Sequence, residues 1–297
     1  MLSYLLAVLA AGANATSSVL QRQANRAAPQ KDNLSWKLIR DLLHQPAWFG
    51  GIAAITAGFL LQATALGAGS LAVVEPILVL ELPLTLALAG RVFHTRLRGR
   101  EWLATAAISA GLAGFLFFLA PSPGGAAGVG WLSWVAGAGA NLALVAALTL
   151  WGRRGPAGHG GTSAGSSARQ AGVLGIAAGS AFGLTAALMK AMTGTLAGGL
   201  GGLLTSWPLY AMIACGITAM FILQSALNAG RLIAAQPGVT LSDPIVSVLW
   251  GVLVFHEQVR GGPFLGLAAA SLAVMAGAVI VLARSPLLDQ QSGERAS

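Results

Sequence analysis

The stretch FILQSALNAGRLIAAQPGVTLSDPIVSVLWGVLVFHE, residues 221–257, decides the fold because a second version of it occupies residues 59–95. That version reads FLLQATALGAGSLAVVEPILVLELPLTLALAGRVFHT. Both begin with Phe-x-Leu-Gln, contain an Ala-Gly pair and two prolines seven residues apart, and close on Phe-His. The prolines are Pro76 and Pro83 in the first version and Pro237 and Pro244 in the second. The chain is therefore predicted to contain two copies of one unit.

Composition places this unit in a membrane. Hydrophobic residues make up 56% of the chain, charged residues only 9%, and the mean hydropathy is +0.74. A water-soluble domain carries about 25% charged residues, so we predict an all-α membrane protein. The formal charge of +8 does not indicate nucleic acid as a partner, because the basic residues lie in the gaps between apolar runs. The single cysteine, Cys215, excludes an internal disulfide.

Nine apolar runs are long enough to cross a bilayer, because about 20 apolar residues in a helix span its hydrocarbon core. The first run is predicted to be an uncleaved span, since polar residues interrupt it and no basic region precedes it. The nine runs lie near residues 2–20, 47–66, 71–89, 102–119, 129–150, 171–189, 204–223, 232–255 and 264–283.

The distribution of basic residues predicts the orientation. With the amino terminus outside and the carboxyl terminus inside, Lys190 and Arg260 lie outside and the other 15 of the 17 lysines and arginines lie inside. We therefore expect a multi-pass protein of the cytoplasmic (plasma) membrane. The same topology gives the two copies opposite orientations, as in the inverted repeats of many secondary transporters.

Three segments follow from this arrangement of four spans, one span and four spans. Residues 1–123 form the first transmembrane repeat of four helices. Residues 124–170 form a linker helix and a cytoplasmic Gly/Ser-rich loop. Residues 171–297 form the second repeat of four helices and a short tail.

Three acidic residues fall within predicted spans. Glu75 and Glu81 lie in the third span and Asp243 in the eighth. A charged group at the centre of an inserting helix costs ~2.5–3.5 kcal/mol, so such residues are candidates for a functional site. We predict that they bind a proton, a cation or a substrate amine, with Glu81 and Asp243 as the candidate metal ligands. The alternative is a purely structural pairing with Arg231, Lys190 or backbone groups.

The four prolines are predicted helix breaks. Each removes one helical N–H donor and leaves a carbonyl one turn earlier without its usual partner. Freed carbonyls beside Glu75, Glu81 and Asp243 are suited to a cation or a polar substrate, and broken helices occur where they are buried or line a cavity. The alternative is that the prolines only kink the helices for packing.

Neutral polar residues in other spans extend the predicted site. Asn14 and Ser18 belong to one polar stripe of the first span, and Gln62 and Gln224 occupy equivalent positions in the two copies. We include all four as candidate substrate or ion ligands. The alternative is interhelical hydrogen bonding, worth about 0.6 kcal/mol per bond in membranes.

No catalytic residues are predicted. His256-Glu257 lacks the second histidine of a zinc-protease motif, and the sequence contains neither a Gly-x-Ser-x-Gly nor a phosphate-binding loop. We therefore expect no enzyme and no cofactor, with Mg²⁺ or H⁺ as candidate transported or coupling ion.

Residues 226–259 and their first-half copy resemble the EamA-type repeat of the drug/metabolite transporter superfamily, in which a proline-containing helix precedes a Glu-led loop and a Gly-rich helix. Glu257 matches the loop glutamate, whereas the first copy has Thr95. Residues 22–46 and 191–203 are too polar or too short for the additional spans of the ten-helix form. Four spans, a linker span and four spans are similar to the NIPA-type magnesium transporter branch.

The resemblance implies secondary transport of a small metabolite or cation by alternating access, or magnesium transport as in the NIPA-like branch. The expected partners are membrane lipids and the transported small molecule or cation, with a homodimer as one candidate assembly. A non-transporting membrane scaffold or partner subunit is the alternative from another functional class.

Overall fold

The structure, a computed structural model, describes residues 2–27, 46–93, 99–122, 124, 128–153, 163–229 and 232–283. These residues form helices and connecting turns, with no β-strand among them. A 3-10 turn, Thr195–Gly198, precedes the shortest helix. In chain order the helices are α1 (Leu2–Ala27), α2 (Pro46–Ala68), α3 (Leu71–Leu78), α4 (Glu81–Val92), α5 (Gly99–Leu119), α6 (Trp131–Arg153), α7 (Ser163–Gly194), α8 (Gly199–Leu204), α9 (Trp207–Ala229), α10 (Leu232–Leu253) and α11 (Pro263–Ala283).

Eight segments of the described chain are long and apolar enough to cross a membrane, which confirms the predicted all-α membrane class. They are α1, α2, α3 with α4, α5, α6, α7, α9 and α11. Helix α10 is not among the eight, although its 22 residues reach about 33 Å at ~1.5 Å per residue. The count of nine spans therefore stays a prediction.

Two of the differences between the helix bounds and the predicted runs concern how the helices are connected. The third run is two helices, α3 and α4, separated by a turn at residues 79–80. The Gly/Ser-rich loop, predicted to cover residues 152–170, is shorter than expected. Helix α6 continues to Arg153 and helix α7 begins at Ser163. Residues 154–162 of that loop lie outside the described residues.

The helices pack in matching pairs. Helix α1 packs on α2 and also contacts α3 and α4. Helix α7 packs on α9 and contacts α10 along much of its length. Two further contacts, α3 with α10 and α5 with α11, join the first part of the bundle to the second, while α6 packs on α7. Helices α7 and α10 thus form the most extensively packed part of the bundle.

Glycines allow α7 and α10 to approach closely. A Cβ added at Gly238 of α10 would stand 2.9 Å from the Gly172 carbonyl oxygen and 2.9 Å from the Ile176 nitrogen, both backbone atoms of α7. The Ser242 hydroxyl donates across the same interface to the Ile176 carbonyl over 3.1 Å. Small residues at a helix interface are the usual means of close packing within membranes, where burial alone does not drive association.

We expect Gly238→Ala to lower the free energy of unfolding by about 1–3 kcal/mol, because the new methyl group would overlap backbone atoms that cannot rotate away. The measurement is denaturant or thermal unfolding of the purified protein in detergent. Gly266→Ala in α11 is the matched control, since no atom lies within 4 Å of its added Cβ. Equal stability of the two variants would contradict the proposed backbone contact.

Candidate functional site

Glu75 is the most deeply buried of the three predicted carboxylates. It lies on the short helix α3 and is 4% exposed. The Gln62 side chain on α2 donates its Nε2–H to Glu75 Oε1 over 3.0 Å. The structure thus joins two residues that the sequence analysis included as candidate ligands.

Asp243 on α10 is close enough to Glu75 for the two charges to interact. Ser247, one turn further along α10, lies beside Asp243 but does not form a well-aligned hydrogen bond with it. Asp243 Oδ1 and Ser247 Oγ are both buried, and neither has a hydrogen-bond partner among the described residues. Buried polar oxygens normally have partners, so these two are candidates for contacting a ligand.

Glu81 forms a second polar cluster with α1. It is the first residue of α4, and its carboxylate interacts with the side chains of Asn14 and Ser18. Asn14 lies directly against Gly58 of α2, where there is no room for a larger residue without moving the amide. The polar residues of the first span therefore have different partners. Asn14 and Ser18 face Glu81. Ser17 instead donates to the Gly51 carbonyl over 2.8 Å and joins α1 to α2.

The prolines have different effects in the two copies. Between Pro76 and Pro83 the helix is broken, and the carbonyl of Val79 accepts a hydrogen bond from the Leu82 N–H over 3.2 Å. A tighter turn therefore provides this carbonyl with the partner that Pro83 cannot supply. Helix α10, by contrast, continues through Pro237 and Pro244.

Gln224 lies apart from these clusters. It is exposed on α9, and its amide contacts Met220 Sδ of the same helix at 4.0 Å. Its equivalent, Gln62, is bonded to Glu75 as described above, so the two amides have different surroundings. Arg231, one of the two cations considered as a structural partner for the acids, lies outside the described residues.

Lys190, the other cation, pairs with Glu257. Their side chains are 5% and 0% exposed, and Lys190 Nζ lies 2.6 Å from Glu257 Oε1. Neither residue is among the predicted site residues, although a lysine near the end of an apolar run is a detectable signal. Their pairing could not be detected from sequence periodicity, because 67 positions separate them.

The oxygen-rich clusters can be compared with metal sites. In the described part of the chain no group of three or more His, Cys, Asp or Glu residues is arranged to hold a metal ion. Mg²⁺ is bound in many proteins by one or two carboxylates and several waters, so two carboxylates are sufficient in number. The predicted metal pair was Glu81 with Asp243, whereas the carboxylate that lies near Asp243 is Glu75.

A separate apolar groove of about 830 Å³ lies between α6, α7 and α9. Its lining includes Trp134, Trp207 and Cys215, and none of its described lining residues is charged. The rings of Trp134 and Trp207 pack edge to face with their centroids 5.2 Å apart. This groove does not contain the carboxylates and is suited to apolar groups.

The chain is similar to an uncharacterized protein of Corynebacterium glutamicum, with 29% identity over 98% of this chain and 99% of that protein. Comparison with protein-family models finds no match. Comparison with solved structures also finds no match.

Proposed function

We propose that this chain is a secondary transporter of the drug/metabolite transporter superfamily that moves a small metabolite or cation across the membrane by alternating access. The observation that carries the proposal is that α3, which bears Glu75, packs on α10, which bears Asp243, with the two charges close enough to interact. Glu75 lies in the proline-containing segment of the first sequence copy and Asp243 in that of the second. Neither carboxylate has an ion-pair partner among the described residues. Two buried carboxylates whose charges interact favour the binding of a proton or a cation.

Helix packing supports the inverted arrangement of four spans, one span and four spans. The contact of α1 with α2 in the first copy corresponds to that of α7 with α9 in the second. The contacts of α3 with α10 and of α5 with α11 each join one segment to its own equivalent. Two similar halves that meet through equivalent helices can rock about a site between them, which is the motion that alternating access requires.

The polar clusters suggest a division of roles. Glu75, Gln62, Asp243 and Ser247 provide the oxygens and the amide for a cation, a proton or a substrate amine. Glu81, Asn14 and Ser18 form a second polar cluster beside the turn at residues 79–80 that separates α3 from α4. A substrate or ion moving through the bundle can use both positions in sequence.

Magnesium as the transported ion is the second candidate. The buried and unpartnered Asp243 Oδ1 and Ser247 Oγ favour it, because Mg²⁺ takes oxygen ligands and keeps several waters. If Mg²⁺ is the transported ion, Glu75 and Asp243 provide the negative charge that binds it. The chain would then correspond to the NIPA-type magnesium transporter branch.

We expect a ligand of this site to stabilise the purified protein and to lose that effect in Glu75→Gln with Asp243→Asn. Binding to the folded state raises the free energy of unfolding by about 2.7 kcal/mol at a hundredfold excess over Kd. The measurement is thermal unfolding in detergent with MgCl₂ and with panels of amines, amino acids and nucleosides. Ser109→Ala is the control, because Ser109 is exposed on α5 and bonds only to its own helix.

A ligand that stabilises the double variant as much as the unmodified chain would contradict the assignment of Glu75 and Asp243. No stabilisation by any compound would instead favour a scaffold or partner subunit. Stabilisation by MgCl₂ alone would favour the magnesium candidate over an organic substrate.

The predicted orientation can be tested with single cysteines in a Cys215→Ser chain. We expect Gly130→Cys to react with a membrane-impermeant thiol reagent added to intact cells, because residue 130 lies at the end of the bundle predicted to face outward. Gly99→Cys should react only after the cells are permeabilised. Both glycines are exposed with no atom within 4 Å of an added Cβ, so they form a matched pair. The reverse labelling pattern would contradict the orientation.

A further inference from the structure

The Glu257 carboxylate joins three separate segments of the chain. It accepts hydrogen bonds from the backbone N–H groups of Leu71 and Ala72 over 2.6 and 2.9 Å. It also accepts one from Lys190 Nζ over 2.6 Å. Glu257 itself follows the end of α10, whereas Leu71 begins α3 and Lys190 lies in the last turns of α7.

Lys190 has two further contacts besides Glu257. Its ammonium group donates to the Gly69 carbonyl over 3.0 Å and lies 5.5 Å from the centroid of the Phe255 ring. The Lys190 and Glu257 side chains are 5% and 0% exposed, so water does not screen the pair. A buried ion pair of this kind depends on both partners, because removing one leaves an uncompensated charge.

The contacts of Glu257 replace the missing cap of α3. The first N–H groups of a helix have no partner within it, and the residue before the helix usually provides one. Ser70 occupies that position, makes no side-chain capping bond, and its Oγ has no partner among the described residues. A carboxylate at this end also complements the positive helix dipole.

The local backbone conformation and two nearby glycines accommodate the Glu257 side chain in this position. The preceding His256 has a φ of 55°, in the left-handed region, and the Glu257 N–H donates to the Gly251 carbonyl over 2.9 Å. A Cβ added at Gly251 would stand 2.8 Å from Glu257 Cδ, and one added at Gly124 would stand 2.9 Å from Glu257 Cγ. Any residue other than glycine at these positions would press on the carboxylate side chain.

Helix α3 connects this contact to the candidate site. It has eight residues, begins at Leu71 beside Glu257, carries Glu75 as its fifth residue, and ends at the turn that separates it from α4. Its amino end is held by Glu257 and its carboxyl end meets a helix break. One short helix therefore joins the contact at its amino end to the position of Glu75.

We propose that Lys190 and Glu257 form a lock that closes one end of the bundle and positions Glu75 beside Asp243. Opening of this end requires the Glu257 carboxylate to leave the N–H groups of Leu71 and Ala72, after which α3 can move relative to α4. The lock is an inference beyond the proposed transport function. It rests on that function only in the statement that the lock opens and closes during transport. In the first copy Thr95 stands at the equivalent sequence position, so this copy has no acid at the position of Glu257.

The test measures how fast a buried thiol at the closed end reacts. The reporter is Ser70→Cys in a Cys215→Ser chain, because Ser70 is 2% exposed, precedes Leu71 and differs from cysteine by one atom. We expect slow reaction with a membrane-impermeant thiol reagent while the lock is intact. Lys190→Met combined with Glu257→Gln should raise the rate about tenfold or more, since removing the contact shifts the population toward the open state.

The double variant is used because it removes both charges together and leaves no unpaired ion in the interior. Gly251→Ala provides an independent disturbance that keeps both charges, and it should also raise the rate. Arg260→Gln is the charge-neutralising control at the same end, and Gly266→Ala is the glycine control. Neither should change the labelling rate, because Arg260 is exposed and Gly266 has open space around it.

Exchanging the charges separates a lock from a simple ion pair. Lys190→Glu with Glu257→Lys keeps opposite charges, but it presents an ammonium group to the N–H donors of Leu71 and Ala72. We expect this exchanged variant to label as fast as the double variant. Slow labelling of the exchanged variant would overturn the proposal, and so would slow labelling of the folded double variant.

A second readout follows the position of Glu75. With Glu75→Cys and Asp243→Cys in the Cys215→Ser chain, a short bifunctional thiol reagent should crosslink the two sites efficiently when the lock is intact. Adding Lys190→Met and Glu257→Gln should reduce the crosslinked fraction, and an unchanged fraction would overturn the positioning role. Neither readout needs a substrate, so the lock and the transport proposal can fail independently.

Discussion

A carboxylate inside an apolar bundle requires hydrogen-bond donors from the protein, because the hydrocarbon around the bundle provides none. Glu257 meets this requirement with one ammonium and two backbone N–H groups, all from segments distant in sequence. The same carboxylate follows the end of α10, caps α3 and neutralises the buried charge of Lys190. Three elements therefore depend on one side chain, and the glycines around it leave the space that it needs.

The three acids of the candidate site are satisfied less completely than Glu257. Glu75 has a neutral partner in Gln62, Glu81 interacts with Asn14 and Ser18, and Asp243 Oδ1 has no hydrogen bond among the described residues. A fully bonded ion pair is suited to holding a structure, whereas partly satisfied carboxylates retain capacity for a ligand. This contrast separates the part of the bundle that we assign to closure from the part that we assign to binding.

The two copies differ in helix structure where they carry prolines. The first copy forms two short helices, whose turn at residues 79–80 satisfies the carbonyl of Val79, while the second keeps one helix of 22 residues. The unbroken helix α10 packs closely against α7, since Gly238 and Ser242 of α10 contact the α7 backbone directly. The first copy thus has a short helix, α3, that a turn separates from α4, whereas the main helix interface of the bundle is formed by α7 and α10.

The sequence by itself determined the membrane class and the approximate position of the helices, because hydropathy and helix length are local properties. It also identified Asn14, Ser18, Gln62, Glu81 and Asp243 as polar residues within spans. Only the tertiary structure decided that Glu75 lies near Asp243, that Gln224 is exposed, and that Lys190 pairs with Glu257. The physical reason is that contacts between helices depend on their rotation and crossing, which side-chain packing across the whole bundle determines and no single segment encodes.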